Sequence, residues 1–282
     1  MAPVQPAARS SEVPADLAAE LAFAERCAEL ARETVRLHFR QVLQVNTKAD
    51  ASPVTVADQL AEQEMRRLIS QSFPHHGILG EEEGPTGRTE AELTATEWLW
   101  VLDPIDGTRA FVTGRPTFCT LISLFHRGVP VLGVIDQPIT RERWIGVRGQ
   151  PTRYVAELPG RPGTRQSVTL ETAELSCTAP EIIRPERQAD FRRLAGRVNR
   201  VSWGGDAYAY GLLALGQIDL IAEDTLKPWD WGALVPVIEG AGGTITDWQG
   251  RPLSLQSDGS VLASANRPLA CEARALLNIS RS

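Results

Sequence analysis

The sequence is poor in the residues that most metal and nucleophile chemistries need. It has four histidines and four cysteines. None of His38, His75, His76 and His126 has metal-ligand spacing, which argues against a histidine-rich zinc site. Cys27, Cys119, Cys177 and Cys271 stand far apart without a CxxC pair. Neither a zinc knuckle nor a disulfide framework is expected, and reduced thiols in a cytoplasm are. A G-x-S-x-G elbow, a P-loop and a complete G-x-G-x-x-G fingerprint are all missing. Apolar runs such as Val129–Ile135 are far short of a membrane span, so no membrane partner is expected. The opening MAPVQPAARSSEVPAD lacks the basic start and apolar block of a secretory signal, and residues 1–15 read as a disordered arm. Basic charge is also in deficit: 29 bases against 35 acids leave a net charge of −6. Nothing then offsets phosphate repulsion, which disfavours nucleic acid. A small phosphate ester stays open to an acidic protein if bound cations invert the local field.

What is present is the balance of an ordinary globular chain: 282 residues, 43% hydrophobic and 23% charged. That size can bury a core without disulfide staples. Leu17, Leu21, Ala24, Ala28, Ala31, Val35 and Val42 predict a long amphipathic helix opened by Pro14 and Asp16. A second helix is predicted over about Ala57–Ser72, after a loop at Asn46–Thr55. Gly77–Leu79, Trp98–Leu102, Thr117–Phe125, Val129–Gln137 and Arg143–Val147 then read as strands. The Pro/Gly/Arg-rich stretch Gly149–Arg165 reads as a surface excursion and the boundary between a part at 16–150 and a part at 151–282. Beyond it come a strand near Val168–Leu170, a helix around Glu186–Val198, a strand at Arg200–Ser202, a helix at Ala207–Leu215 and a strand at Ile218–Ala222. A last helix at Trp231–Glu239 should be bent or broken by Pro236 and stop at the glycines Gly240–Gly243.

Acidic groups stand at predicted element ends: Asp58, Gly80-Glu81-Glu82-Glu83, Asp103-Pro104-Ile105-Asp106-Gly107-Thr108, and Trp229-Asp230. Pro104 restricts Asp103 and fixes its own φ where the Trp98–Leu102 strand should end. Asp103 and Asp106 can then converge while Ile105 packs inward and leaves its carbonyl free. Oxygen-only ligation of this kind suits Mg²⁺ or Mn²⁺. Each motif has a bland reading. Asp-Pro and Asp-Gly make turns, adjacent glutamates are commonly solvated, and Asp58 and Asp230 fit as helix caps. The joint pattern favours metal-assisted hydrolysis.

DPIDGTRAF at Asp103–Phe111, GEE at Gly80–Glu82 and WDWGALVPVIEGAGG at Trp229–Gly243 resemble, in order and spacing, the inositol monophosphatase family of metal-dependent phosphatases. The longer stretches DPIDGTRAFVTGRP, PVLGVIDQPITRERWIG, GGDAYAYGLLALGQIDL and LKPWDWGALVPVIEGAGG are most similar to its histidinol-phosphatase branch. The resemblance implies an α/β (α+β) layered sandwich of alternating helices and sheets, a homodimer, and an active site between the two parts. It implies that Glu81, Asp103 and the Ile105 carbonyl hold one Mg²⁺, and that Asp103, Asp106 and Asp230 hold a second. A third, weaker ion would lean on Glu81. Asp58 and Thr108 would orient the attacking water, and the amides of Gly107 and Thr108 would receive phosphate oxygens. Glu82 would support the ligands, and Lys48 matches a family lysine near the site.

On substrate, the resemblance places Glu223 against the organic part, where Asp206 offers a second carboxylate and Arg109 another contact. As bland readings, Glu223 is an exposed strand-end acid and Asp206 a helix cap. A cationic ester suits two carboxylates, and the resemblance to the histidinol-phosphatase branch implies hydrolysis of L-histidinol phosphate in histidine biosynthesis. The alternatives are an inositol, sugar or cyclitol phosphate, or a catalytically silent relative that binds a phosphate ligand or a partner. Cys177-Thr178-Ala179-Pro180 and the Gly149–Arg165 segment depart from the family pattern and bear on the substrate, not on the metal ligands.

Overall fold

The computed structural model describes residues 16–41, 45–47, 53–85, 92 and 96–277. The arm expected over 1–15 and Lys48 lie outside them.

Helix α1 (Ala18–His38) starts where Asp16 Oδ1 accepts the Ala18 N–H at 2.9 Å. It buries Phe23, Ala24, Cys27, Ala28, Ala31 and Val35, and Phe39 is already extended. Strands β1 (Val45–Thr47) and β2 (Pro53–Thr55) pair as an antiparallel hairpin inside the stretch expected to be a loop. Helix α2 (Val56–Ser72) follows directly. The next strands are β3 (Gly77–Gly80), β4 (Gly84–Pro85) and β5 (Trp98–Asp106), and then a short helix α3 (Thr108–Val112). Strands β6 (Cys119–His126), β7 (Val129–Gln137), β8 (Glu142–Val147) and β9 (Arg153–Val155) complete a mixed seven-stranded sheet ordered β4-β3-β5-β6-β7-β8-β9.

Two expectations change here. Strand β5 does not stop at Leu102 but runs through Asp103 to Asp106, with a register shift against β6 between the two aspartates. A bulge lets an irregular backbone stay in the sheet while it re-aims side chains. The Gly149–Arg165 excursion carries β9, which pairs with β8. In the loop before β3, His76 is partly buried. It stacks between Phe73 and Trp98, and its Nδ1 accepts the Trp100 indole N–H at 3.1 Å.

The second half begins with a 3₁₀ turn at Leu170–Thr172 where a strand was expected; the strand, β10 (Glu174–Cys177), comes later. It is followed by α4 (Gln188–Ala195), β11 (Arg200–Trp203), α5 (Asp206–Ala214) and β12 (Leu220–Glu223). The expected Trp231–Glu239 helix is two pieces, α6 (Pro228–Trp231) and α7 (Leu234–Gly240). The break lies ahead of Pro236, which sits in the first turn of α7, where a missing N–H costs nothing. Strands β13 (Thr244–Thr246) and β14 (Val261–Ser264) and helix α8 (Arg267–Leu277) were not foreseen. The second sheet is ordered β11-β10-β12-β14-β13 and is also mixed.

Side-chain parity sets the layers. From β5, Trp100 and Leu102 pack with α1 and α2, while Leu99 and Val101 pack with α5 and α7. From the second sheet, Ile221, Val261 and Ala263 join that same middle layer, while Leu175, Leu220 and Leu262 face α4 and α8. Both sheets are thus covered on both faces, which is why their strands read as continuous apolar runs. The result is an α/β sandwich of five layers: helix, sheet, helix, sheet, helix.

Candidate active site

The acidic groups meet where β5, α2, α5 and α6 end together. Helix α2 opens with a reciprocal cap. Ala57 N–H donates to Thr55 Oγ1 at 3.2 Å, and Asp58 Oδ2 accepts the Thr55 N–H at 2.9 Å and its hydroxyl at 2.5 Å. Asp58 is therefore a capping-box residue in the first turn, as the bland reading had it. Its Oδ1 nevertheless faces the Thr108 hydroxyl, at 3.4 Å. That hydroxyl also donates to the Ile105 carbonyl at 3.1 Å. The carbonyl is thus not free, although its second lone pair stays available. Ile105 itself is fully buried, as expected.

Asp103, Asp106 and Asp230 each offer a carboxylate oxygen, and the three atoms lie within 4.8 Å of one another. Asp103 is 1% exposed; its Oδ1 accepts the Ile105 N–H at 3.0 Å, and its Oδ2 receives no hydrogen bond from any described residue. Asp106 accepts the Ala207 N–H at 2.5 Å, which ties β5 to the start of α5. Asp230 accepts the Lys227 N–H at 2.6 Å in the first turn of α6. Glu81, on the turn after β3, presses its carboxyl against Asp103.

So many acids together hold protons that free carboxyls would shed. Burial first, then repulsion from Glu81, Asp106 and Asp230, pushes Asp103 well above the usual carboxylate range. Burial, then Asp206 and Asp230, does the same to Asp106. Asp230 is lifted to about 7 by burial, with Glu81 and Glu223 adding to it and the Lys227 amide opposing. Burial also raises Asp58. A buried carboxylate oxygen with no donor, inside a cluster of oxygen ligands, fits a hard divalent cation. Among the described residues, no other group of His, Cys, Asp and Glu is so arranged.

The substrate-side residues are placed unevenly. Gly107 (φ 91) turns the chain into α3, and a Cβ there would lie 2.8 Å from the Asp206 Cγ. Only glycine lets that carboxylate stand over the turn. Asp206 is the first residue of α5 and has φ 45. Burial and Glu223 lift it to about 6, against Arg115, Thr117 and Arg109. Glu223 is not an exposed strand-end acid. It is buried, with Oε1 accepting the Thr178 N–H at 2.7 Å and Oε2 the Tyr210 hydroxyl at 2.8 Å. Burial outweighs those two bonds and raises it. Arg109 is exposed on α3 and acts on the group only through its charge.

Sequence reasoning missed Tyr210 and Glu62. Glu62 is fully buried and accepts the N–H groups of Glu82 and Glu83. A helical acid four residues before a basic one fits a surface ion pair equally well, so only its position one turn beyond Asp58 gives a signal.

Comparison with known proteins gives the family. The inositol monophosphatase family model matches residues 16–279. The chain is 44% identical to the bifunctional phosphatase IMPL2, chloroplastic, of Arabidopsis thaliana, over 91% of this chain and 73% of that protein. It is 38% identical to the histidinol-phosphatase of Mycobacterium tuberculosis, over 83% of this chain and 88% of that one. Among solved structures, an inositol monophosphatase from Zymomonas mobilis superposes with a TM-score of 0.82 at 43% identity. That match covers 93% of this chain and 98% of the other.

Proposed function

The chain belongs to the inositol monophosphatase family, a family of metal-dependent phosphomonoesterases, and from that premise we propose that it hydrolyses L-histidinol phosphate to L-histidinol and phosphate. We assign Glu81, Asp103 and the Ile105 carbonyl to one Mg²⁺, and Asp103, Asp106 and Asp230 to a second. Mn²⁺ is an acceptable substitute at oxygen-only sites, and we assign a third, weaker ion to Glu81. Bound there, the ions lower the pKa of water and neutralise the phosphate and the leaving alkoxide. Thr108 and Asp58 orient the water through the hydroxyl that joins them. The Gly107 and Thr108 amides receive phosphate oxygens at the start of α3.

The observation that carries the substrate is Asp206, whose carboxylate stands over Gly107 with Glu223 close enough to raise it. Two carboxylates beyond the phosphate position suit an ester that carries an ammonium and an imidazole. Arg109, exposed on α3 and near enough for its charge to act on Asp206, is a further substrate contact in this reading. A second reading, an inositol or similar polyol phosphate, is favoured by the 43% identity to the Zymomonas structure. In that case Glu223 accepts hydroxyls.

A panel of phosphate esters with purified protein and Mg²⁺ decides between them. Charge-assisted hydrogen bonds contribute roughly 1.5–3 kcal/mol, or about 10- to 100-fold in kcat/KM. Histidinol phosphate should lead inositol 1-phosphate by that factor. Equal rates, or the reverse order, overturn the histidinol assignment and leave the phosphatase standing. We further propose a homodimer, to be checked by light scattering. The four cysteines are free thiols, which supports a reducing compartment, taken here as the cytoplasm. Among the described residues no helix is long and apolar enough to cross a membrane.

A further inference from the structure

Glu62 has no exposed surface, although it is an acid on a helix that borders solvent. Its carboxylate faces the turn after β3. Oε2 accepts the Glu82 N–H at 2.8 Å and Oε1 the Glu83 N–H at 3.0 Å. Arg66, one turn further along α2, donates to Oε1 at 2.7 Å and to the Gly84 carbonyl at 2.5 Å. Glu81 N–H donates in turn to the Leu102 carbonyl of β5 at 3.1 Å. The turn is thus fixed at three successive amides and at its exit carbonyl. Gly80 makes the approach feasible, because a Cβ there would lie 2.2 Å from the Glu62 Oε1.

A buried ion pair is costly unless its hydrogen bonds are complete, and it commonly gives specificity rather than net stability. Here the two amide bonds of Glu62 and the Arg66 bond to Gly84 go to the segment that presents Glu81. We infer that Glu62 is a positioning residue for the metal ligand Glu81: it fixes the turn so that the Glu81 carboxyl reaches Asp103. The inference rests on the reading of Glu81 as a ligand. Residues that orient ligands typically change metal affinity 10- to 100-fold when replaced. A purely structural Glu62–Arg66 pair would instead change stability alone.

The test uses the full chain and Mg²⁺ alone, titrated by calorimetry and by the shift of the melting midpoint. Glu62→Gln keeps the volume but sets an NH₂ group against a loop amide or Arg66. It should weaken Mg²⁺ binding about tenfold. The Mg²⁺ concentration for half-maximal activity should rise by the same factor, with kcat at saturating Mg²⁺ within about twofold of wild type. In a Glu81→Gln background the substitution has no ligand to act through, so it should leave Mg²⁺ affinity unchanged. Gly80→Ala displaces the same carboxylate without altering charge and carries the comparison if Glu62→Gln does not fold. Unchanged Mg²⁺ affinity in Glu62→Gln with a lower midpoint in chelator overturns the inference and leaves the metal site standing. An equal loss in the Glu81→Gln background overturns it as well. Absence of Mg²⁺ binding by the wild-type protein overturns the metal site itself, and this inference with it.

Discussion

Asp103 stores more electrostatic conflict than any single contact relieves. One of its oxygens is bonded to the Ile105 amide, and the other lies buried with Glu81 pressed against the side chain. Without a cation the cluster can settle only by retaining protons. Asp103→Asn tests this in two directions. The amide offers a donor where none existed and removes one charge from the group, so the midpoint in chelator should rise. Each kcal/mol regained corresponds to about 2–4 °C in a chain of this size class. Phosphate release should fall on the order of 10³-fold or more, since the residue is assigned to both ions. A folded Asp103→Asn protein with full activity would remove the basis for the site.

At the scale of elements, the start of α2 joins folding to chemistry, because the capping box and the Thr108 contact share Asp58. Thr55→Ala removes the cap and the hydroxyl that donates to Asp58 Oδ2. It should cost about 1 kcal/mol by urea unfolding. With Asp58 less well held, kcat should fall at least several-fold at a temperature where the variant is fully folded; an unchanged kcat there would mean that Asp58 only caps. The extent to which elements were legible follows from how they bury themselves. Helices α1 and α2 show 3.6-residue periodicity, and the two-sided strands β5 to β8 show apolar runs, so all were readable. The continuation of β5 through Asp103-Pro104-Ile105-Asp106 was not, because Pro and two acids look like a turn and only the bulge against β6 keeps them in the sheet. Strands β13 and β14 are three and four residues long, too short for any period. The DPIDGT, GEE and WDWG blocks identified the acids, yet not the partners that hold them. Glu62 holds the GEE turn, and Tyr210 and Thr178 hold Glu223, through hydrogen bonds that residue type alone does not announce.

Over the whole molecule, the −6 charge is uneven in its effect, because part of it is forced together in the acidic cluster of the candidate site. This sets a dependence on pH whose sign can be worked out. Asp103 and Asp106 are held well above the carboxylate range, Asp230 at about 7 and Asp206 at about 6. The unfolded chain sheds these protons near pH ~4. Between that pH and roughly 7 the folded, metal-free protein binds more protons than the unfolded one, so its stability must fall as pH rises. Acids with depressed values act the other way, but at lower pH. Asp258, held below the usual range by Arg187 and Ser260 against the pull of burial, loses its contribution only under more acid conditions. The window between about pH 5 and 8 therefore belongs to the cluster. In chelator the melting midpoint should decline across it, and saturating Mg²⁺ should flatten the decline by taking the place of the protons. The rise in midpoint on adding Mg²⁺ should accordingly be larger at pH 8 than at pH 5.5. Thermal melts at both pH values, with and without Mg²⁺, measure this directly. A midpoint in chelator that rises with pH, or a Mg²⁺ effect that is the same at both, would show that Asp103, Asp106 and Asp230 do not share one site for a cation.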